Sequence, residues 1–124
     1  MKKKLDRIFS KFIKLRDCGE FYFKCISCGK TKHKDQFNAG HYWSRVYMST
    51  RYDEKNVNGQ CIYCNFHLKG HIAGYTQGLI KKYGSNVLNE LEIKKNNMSK
   101  MGEFEYKILI EEYKQKIKQY EKRY

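Results

Sequence analysis

Apolar residues recur at three- and four-residue intervals near the start of the chain, at Leu5, Ile8, Phe9, Phe12, Ile13 and Leu15, with Lys and Arg between them. That spacing predicts an amphipathic helix ending near Asp17-Cys18-Gly19. Phe21 to Lys24 then reads as a strand. Two further β-like stretches, Phe37 to Trp43 and Val57 to Ile62, are separated by a polar turn around Asp53-Glu54-Lys55-Asn56 and suit a hairpin. Beyond Cys64 the pattern is helical, with Gly70, Gly74, Gly78 and Gly84 as punctuation and Leu79 to Tyr83 as its strongest piece. A short helix over residues 86–95 follows. The last stretch carries Tyr106, Ile110, Tyr113, Ile117, Tyr120 and Tyr124 at alternating spacings of four and three, a stripe along one face of a helix. Such a stripe either packs on the domain's own helices or pairs two chains as a homodimer, and fewer than three heptads favours the first. The fold class expected is α+β, in one domain spanning residues 1–124: a basic N-terminal helix (1–20), a central core (21–84) and C-terminal helices (85–124).

The cysteines sharpen that picture. Four of the five stand in two Cys-x2-Cys pairs, Cys25-Ile-Ser-Cys28 and Cys61-Ile-Tyr-Cys64, on either side of a 32-residue segment. Each such knuckle presents two sulfurs to one ion, and two knuckles complete a tetrahedral Zn2+ site with bonds of about 2.3 Å. One knuckle alone would be a weak signal. At 124 residues the chain buries only a modest core, which a structural Zn2+ would staple. Cys18 has no partner at knuckle spacing and reads as a buried or idle thiol. No cleavable apolar segment follows Met1-Lys2-Lys3-Lys4, so a reducing cytoplasm is expected, where paired cysteines bind metal rather than form disulfides.

Charge narrows the partner. The formal net charge is +13, which a four-thiolate zinc site lowers by about two. Residues 1–34 carry eleven Lys and Arg against Asp6, Asp17 and Glu20, whereas residues 103–124 carry six against five acids. Positive charge gathers towards the front and implies a polyanion such as DNA, although a merely solvated Lys-rich surface would have the same composition. No apolar run approaches the roughly 20 residues of a membrane span, so no membrane partner is expected.

Between the knuckles, Gly40-His41-Tyr42 puts an imidazole mid-strand, and the second knuckle runs straight into Asn65-Phe66-His67. Hydrolysis of a phosphodiester needs an activated water, charge stabilisation at phosphorus and help for the leaving oxygen, which a neutral imidazole and one divalent cation can supply. His41 is the candidate general base. Asn65 offers a hard, neutral amide oxygen suited to Mg2+ or Mn2+ with open positions for water and phosphate. His67 lies two residues on, about 200° round a regular helix, and reads as a phosphate contact or outer group rather than a ligand. Asn56 at the hairpin turn would brace the strand carrying His41. Arg45, Arg51 and Lys69 flank the pocket as candidate phosphate contacts. His33 reads as part of a basic loop and His71 as surface.

The order knuckle, His41, Asn56, knuckle, Asn65 is similar to the HNH, or ββα-metal (His-Me finger), endonuclease core. More closely, Leu15-Arg16-Asp17, Cys25-Ile26-Ser27-Cys28-Gly29-Lys30, Asn38-Ala39-Gly40-His41-Tyr42, Ser44-Arg45, Arg51-Tyr52, Asn56-Val57, Gln60-Cys61 and Cys64-Asn65-Phe66-His67 resemble the NinG family, the Rap recombination endonucleases of lambda-like phages. Tyr75 and Gly78 to Gly84 extend the likeness downstream. The resemblance implies a Mg2+- or Mn2+-dependent, structure-specific endonuclease cutting Holliday junctions and D-loops in a bacterial host's cytoplasm, alongside other phage or host recombination proteins. Many HNH fingers place a metal-binding Asp or His just before the base, where this chain has Gly40. Metal would therefore rest mainly on Asn65, with Asp35 or Asn38 as weaker candidates. Two rival readings are a non-catalytic zinc module that binds nucleic acid and an HNH enzyme that nicks linear duplex.

Overall fold

The computed structural model describes residues 1–97 and 100–122. Helix α1 (Lys2–Asp17) turns Leu5, Phe9, Phe12 and Ile13 inward, as its periodicity predicts. The last helix, α5 (Glu103–Glu121), lays Ile110, Tyr113 and Ile117 against that face, with Val57 between them. Aromatic edges lock the pair: Phe9 meets Tyr113 edge-on at 4.9 Å between ring centres, and Phe12 meets Tyr120 at 5.6 Å. Ile110, Tyr113 and Ile117 of the C-terminal stripe are thus covered by α1 of the same chain. Tyr124, the stripe's last predicted member, lies outside the described residues.

Two antiparallel hairpins follow. Strands β1 (Tyr22–Lys24) and β2 (Thr31–His33) pair Tyr22 with His33, and the first knuckle forms the turn between them. Gly29 closes that turn at φ +71°, a conformation that favours glycine. The sequence pattern did not anticipate β2, because Thr31-Lys32-His33 packs no apolar face. His33 ends this strand instead of lying in a loop. The second hairpin pairs β3 (Phe37–His41) with β4 (Val57–Cys61), Phe37 opposite Cys61 and His41 opposite Val57. The expected polar turn is longer than a turn: its middle is a short helix, α2 (Met48–Arg51), and Asp53 then accepts the Lys55 and Asn56 amide hydrogens to bring the chain back.

Strand β4 is wholly buried although three of its five residues are polar or glycine. Burial of amides is tolerated because each is bonded. Gln60 donates to Ser27 Oγ (2.8 Å) and to the Gly70 carbonyl, and Asn58 Oδ1 accepts from Lys82 (2.8 Å), Tyr83 (3.0 Å) and Arg16 (3.2 Å). Helix α3 (Ile72–Tyr83) is bonded to this strand through Tyr75, Lys82 and Tyr83, and with α4 (Asn86–Asn96) it forms a second apolar cluster of Tyr75, Leu79, Val87 and Leu91. Gly74 and Gly78 do not punctuate α3. A β-carbon at either would strike the Ser27 or Ile26 carbonyl, so these glycines let the helix lie on the first knuckle. Among the described residues no helix is long and apolar enough to cross a membrane.

Candidate functional site

The hairpin β3–β4 carries chemistry at both ends. At the Cys61 end, Cys25, Cys28, Cys61 and Cys64 bring their sulfurs within 4.8 Å of one another, and those of Cys28 and Cys61 are 4.0 Å apart. A tetrahedral ion with bonds near 2.3 Å needs sulfurs about 3.8 Å apart, so the four cysteines can hold one zinc ion. The chain already supplies the electrostatics. Burial opposes ionisation of Cys25, yet backbone N–H groups of Cys28, Cys61 and Ser27 outweigh it and hold that thiol below its ordinary value. Burial and the neighbouring sulfurs instead push the Cys64 thiol up, the direction expected of four thiols crowded without a cation. His71, read from sequence as surface, sits with Nδ1 3.3 Å from Cys64 Sγ and is positioned to donate to it. No motif marks it. Cys18 is buried beside this cluster but outside the four-sulfur set.

At the other end, His41 lines a cavity of about 690 Å³ with Asn65, Asn38, Ser44, Arg45, Lys11 and Lys14 among its walls. Three elements meet there: α1, β3 and a π-helical turn over Tyr63–His67 that carries Asn65 out from the second knuckle. The His41 ring is half-buried, and its Nε2 donates to the Arg51 carbonyl at 2.9 Å. That bond fixes the tautomer and leaves Nδ1 unprotonated; among the described residues Nδ1 makes no hydrogen bond. Burial pushes the imidazole below its ordinary value, Arg45 and Arg51 add to that, and the Arg51 carbonyl and Asp6 oppose them. A neutral imidazole with one anchored nitrogen and one available nitrogen can accept a proton.

Asn56 is fully buried and bonded on every side: Oδ1 accepts from the Trp43 amide (2.9 Å), while Nδ2 donates to the carbonyls of Trp43 and Thr50 (3.0 Å each). It ties together the two ends of the loop that follows His41. Tyr75, buried in α3, donates to the Gly40 carbonyl at 2.6 Å and pins the strand next to His41. Gly40 itself has no room for a side chain, because a β-carbon would run into Gln60.

Other candidates fall elsewhere. Arg51 is not free for phosphate: its guanidinium forks onto Asp6 at 2.9 and 2.6 Å and its third nitrogen donates to the Arg45 carbonyl. His67 lies tilted against Tyr63 and edge-on to Phe66, with ring centres 5.5 and 5.3 Å away, and does not line the cavity. Lys69 is exposed at φ +50° and also lies off the cavity wall. Asp35 is exposed beside His33 and contributes nothing to the cavity, whereas Asn38 does line it. Lys11 and Lys14 were not singled out from sequence, although their three-residue spacing put them on one face of α1.

The family model described as Bacteriophage Lambda NinG protein matches residues 1–123. The proteins named ninG from Escherichia phage lambda and Salmonella phage P22 are each 33% identical over 117 residues, covering 94% of this chain and 55% of theirs. The ninG protein of Escherichia phage 933W is 32% identical over the same length. The chain therefore spans about half the length of the curated relatives it matches. No solved structure matches it. With nearly its whole length matched by one family model, and with 33% identity to a phage ninG protein over 117 aligned residues, the chain belongs to the NinG family.

Proposed function

We propose that the chain is a metal-assisted endodeoxyribonuclease of the HNH, or ββα-metal, kind, with the His41 cavity as its active site and branched recombination intermediates as its substrates. One observation carries the reading: an imidazole anchored through Nε2 on a backbone carbonyl shares a cavity with the Asn65 and Asn38 side chains and three basic side chains. The order strand, strand, helix through β3, β4 and α3 supports it further.

His41 Nδ1 takes the proton of the attacking water. Arg45, Lys11 and Lys14 meet the phosphate oxygens. The amide oxygens of Asn65 and Asn38 would hold Mg2+ or Mn2+, which when bound supplies Lewis-acid stabilisation of the phosphoryl group and the leaving oxygen. No carboxylate lines the cavity among the described residues, so binding of this cation depends on the substrate's own phosphate. Four thiolates leave no open position on an ion at the other end, so Zn2+ there is structural. Preference for branched over linear DNA rests on the family likeness, while the basic front of the chain supports salt-dependent binding to DNA of either shape.

The test is a cleavage assay on a labelled four-way junction and a matched linear duplex with Mg2+, Mn2+ or EDTA. Faster, EDTA-sensitive cutting of the junction is expected. Equal cutting would make this a nicking nuclease for linear duplex, and salt-sensitive binding without cutting would make it a non-catalytic zinc module.

A further inference from the structure

Helix α1 is a basic helix with two acids, Asp6 and Asp17, and both are tied to the second hairpin. Asp17 accepts from Arg16 and from the Gly59 amide at 2.8 Å, beside the middle of β4. Asp6 reaches the loop after β3. Its carboxylate takes both nitrogens of the Arg51 fork and the Tyr52 hydroxyl (2.7 Å), with Arg45 4.0 Å away. Burial would raise this carboxyl, but the hydrogen bonds from Arg51 and Tyr52 and the charges on Arg51 and Arg45 outweigh it and hold it below its ordinary value. It is an anion at neutral pH.

The residue that Asp6 grips is the residue whose carbonyl accepts from His41 Nε2. A charged fork is directional in a way a single bond is not, so it fixes Arg51 in rotation as well as position. Both ends of the contact are held in the core. Leu5, next to Asp6, is fully buried, and the Tyr52 ring meets Phe9 edge-on at 5.7 Å. We propose that Asp6 is a positioning residue for His41: by clamping Arg51 it holds the Arg51 carbonyl where it must accept Nε2–H, and so selects the tautomer that leaves Nδ1 open to the cavity. Asp6 touches neither substrate nor water in this role. It would explain why the first helix carries an acid among Lys2, Lys3, Lys4 and Arg7.

The catalytic consequence rests on the nuclease reading above, but the tautomer does not. The experiment records imidazole nitrogen shifts of His41 in 15N-histidine-labelled, zinc-loaded protein, for the wild type, Asp6→Ala and Arg51→Lys, with junction cleavage measured in parallel. In the wild type one tautomer, protonated at Nε2, is expected. In Asp6→Ala the two tautomers should mix, and kcat should fall about tenfold with KM little changed, the size of effect typical of an outer residue that orients a reacting one. Arg51→Lys keeps the backbone carbonyl and loses the fork, so it should show the same mixture in milder form and serves if Asp6→Ala fails to fold. A single Nε2–H tautomer in a folded variant of either kind overturns the proposal. If the wild type cuts no DNA, the nitrogen shifts still decide the role of Asp6, and only the nuclease reading falls.

Discussion

The two ends of the β3–β4 hairpin are held by different means. At the Cys61 end, four like ligands converge on one point, and a single ion can satisfy all of them. At the His41 end, the loop is held by a set of unlike neutral and charged hydrogen bonds: Asn56 to Trp43 and Thr50, Arg51 to Asp6, and Tyr75 to Gly40. The first arrangement saturates its chemistry and has none left to offer a substrate. The second ties the loop by bonds to buried amides and leaves one imidazole nitrogen facing a cavity, with the buried Trp43 indole nitrogen also unpaired among the described residues. Rigidity would come from a metal where no reaction is proposed, and comes from hydrogen bonds where one is.

Metal removal should break the comparison most severely. Stripping zinc from the cysteine end by chelation, or replacing Cys61 with Ser, should lower Tm by roughly 15 °C or more, because knuckle folding and metal binding are one equilibrium. Elemental analysis with a melting curve checks this; metal-free protein of unchanged Tm would mean that the sulfurs do not staple the fold. Replacing Cys18, outside the set, should leave zinc content as it is.

At the opposite end, Asn56→Ala strands the Trp43 amide and two carbonyls in the interior. Chemical denaturation should register a loss of about 3 kcal/mol. A loss within experimental error would show that the loop is held without it. Smaller still is the effect of His71→Ala, which should weaken zinc affinity by about tenfold in a competition titration while the fold stays intact, since it removes a donor to the Cys64 sulfur. Unchanged affinity would reduce His71 to a packing residue.

The gentlest probe is pH. His41 must be neutral to take a proton, and its imidazole is depressed below the ordinary value of 6.5. Cleavage should therefore fall on acidification with a midpoint below that of an ordinary imidazole. A midpoint at or above 6.5 would contradict the burial argument.

The difference between the ends also explains what could be read from sequence. Four identical residues in two fixed spacings announce a metal site without any three-dimensional information, and the helical periods of α1 and α5 announce their buried faces. His41 and Asn65 were named from their order relative to the knuckles, and the structure places both on one cavity wall; Asn56 was named as a brace and is bonded as one. Asp6 was not legible, since nothing in sequence ties it to a residue 45 positions later. Arg51 was misread for the same reason: an arginine beside a pocket looks like a phosphate contact until its acid partner arrives from another helix. Strand β2 escaped because its faces carry no apolar alternation, and Gly74 and Gly78 read as breaks because what they accommodate, the carbonyls of the first knuckle, is distant in the chain.

The central claim is that the His41 imidazole does chemistry rather than holding the loop. Its most direct test compares wild type and His41→Ala, both zinc-loaded and with matched melting curves, for junction binding and junction cleavage with Mg2+. Cleavage should drop by about a hundredfold or more while binding affinity is preserved, because a general base acts on the transition state and not on the bound substrate. Cleavage at the wild-type rate by the His41→Ala protein would contradict the account.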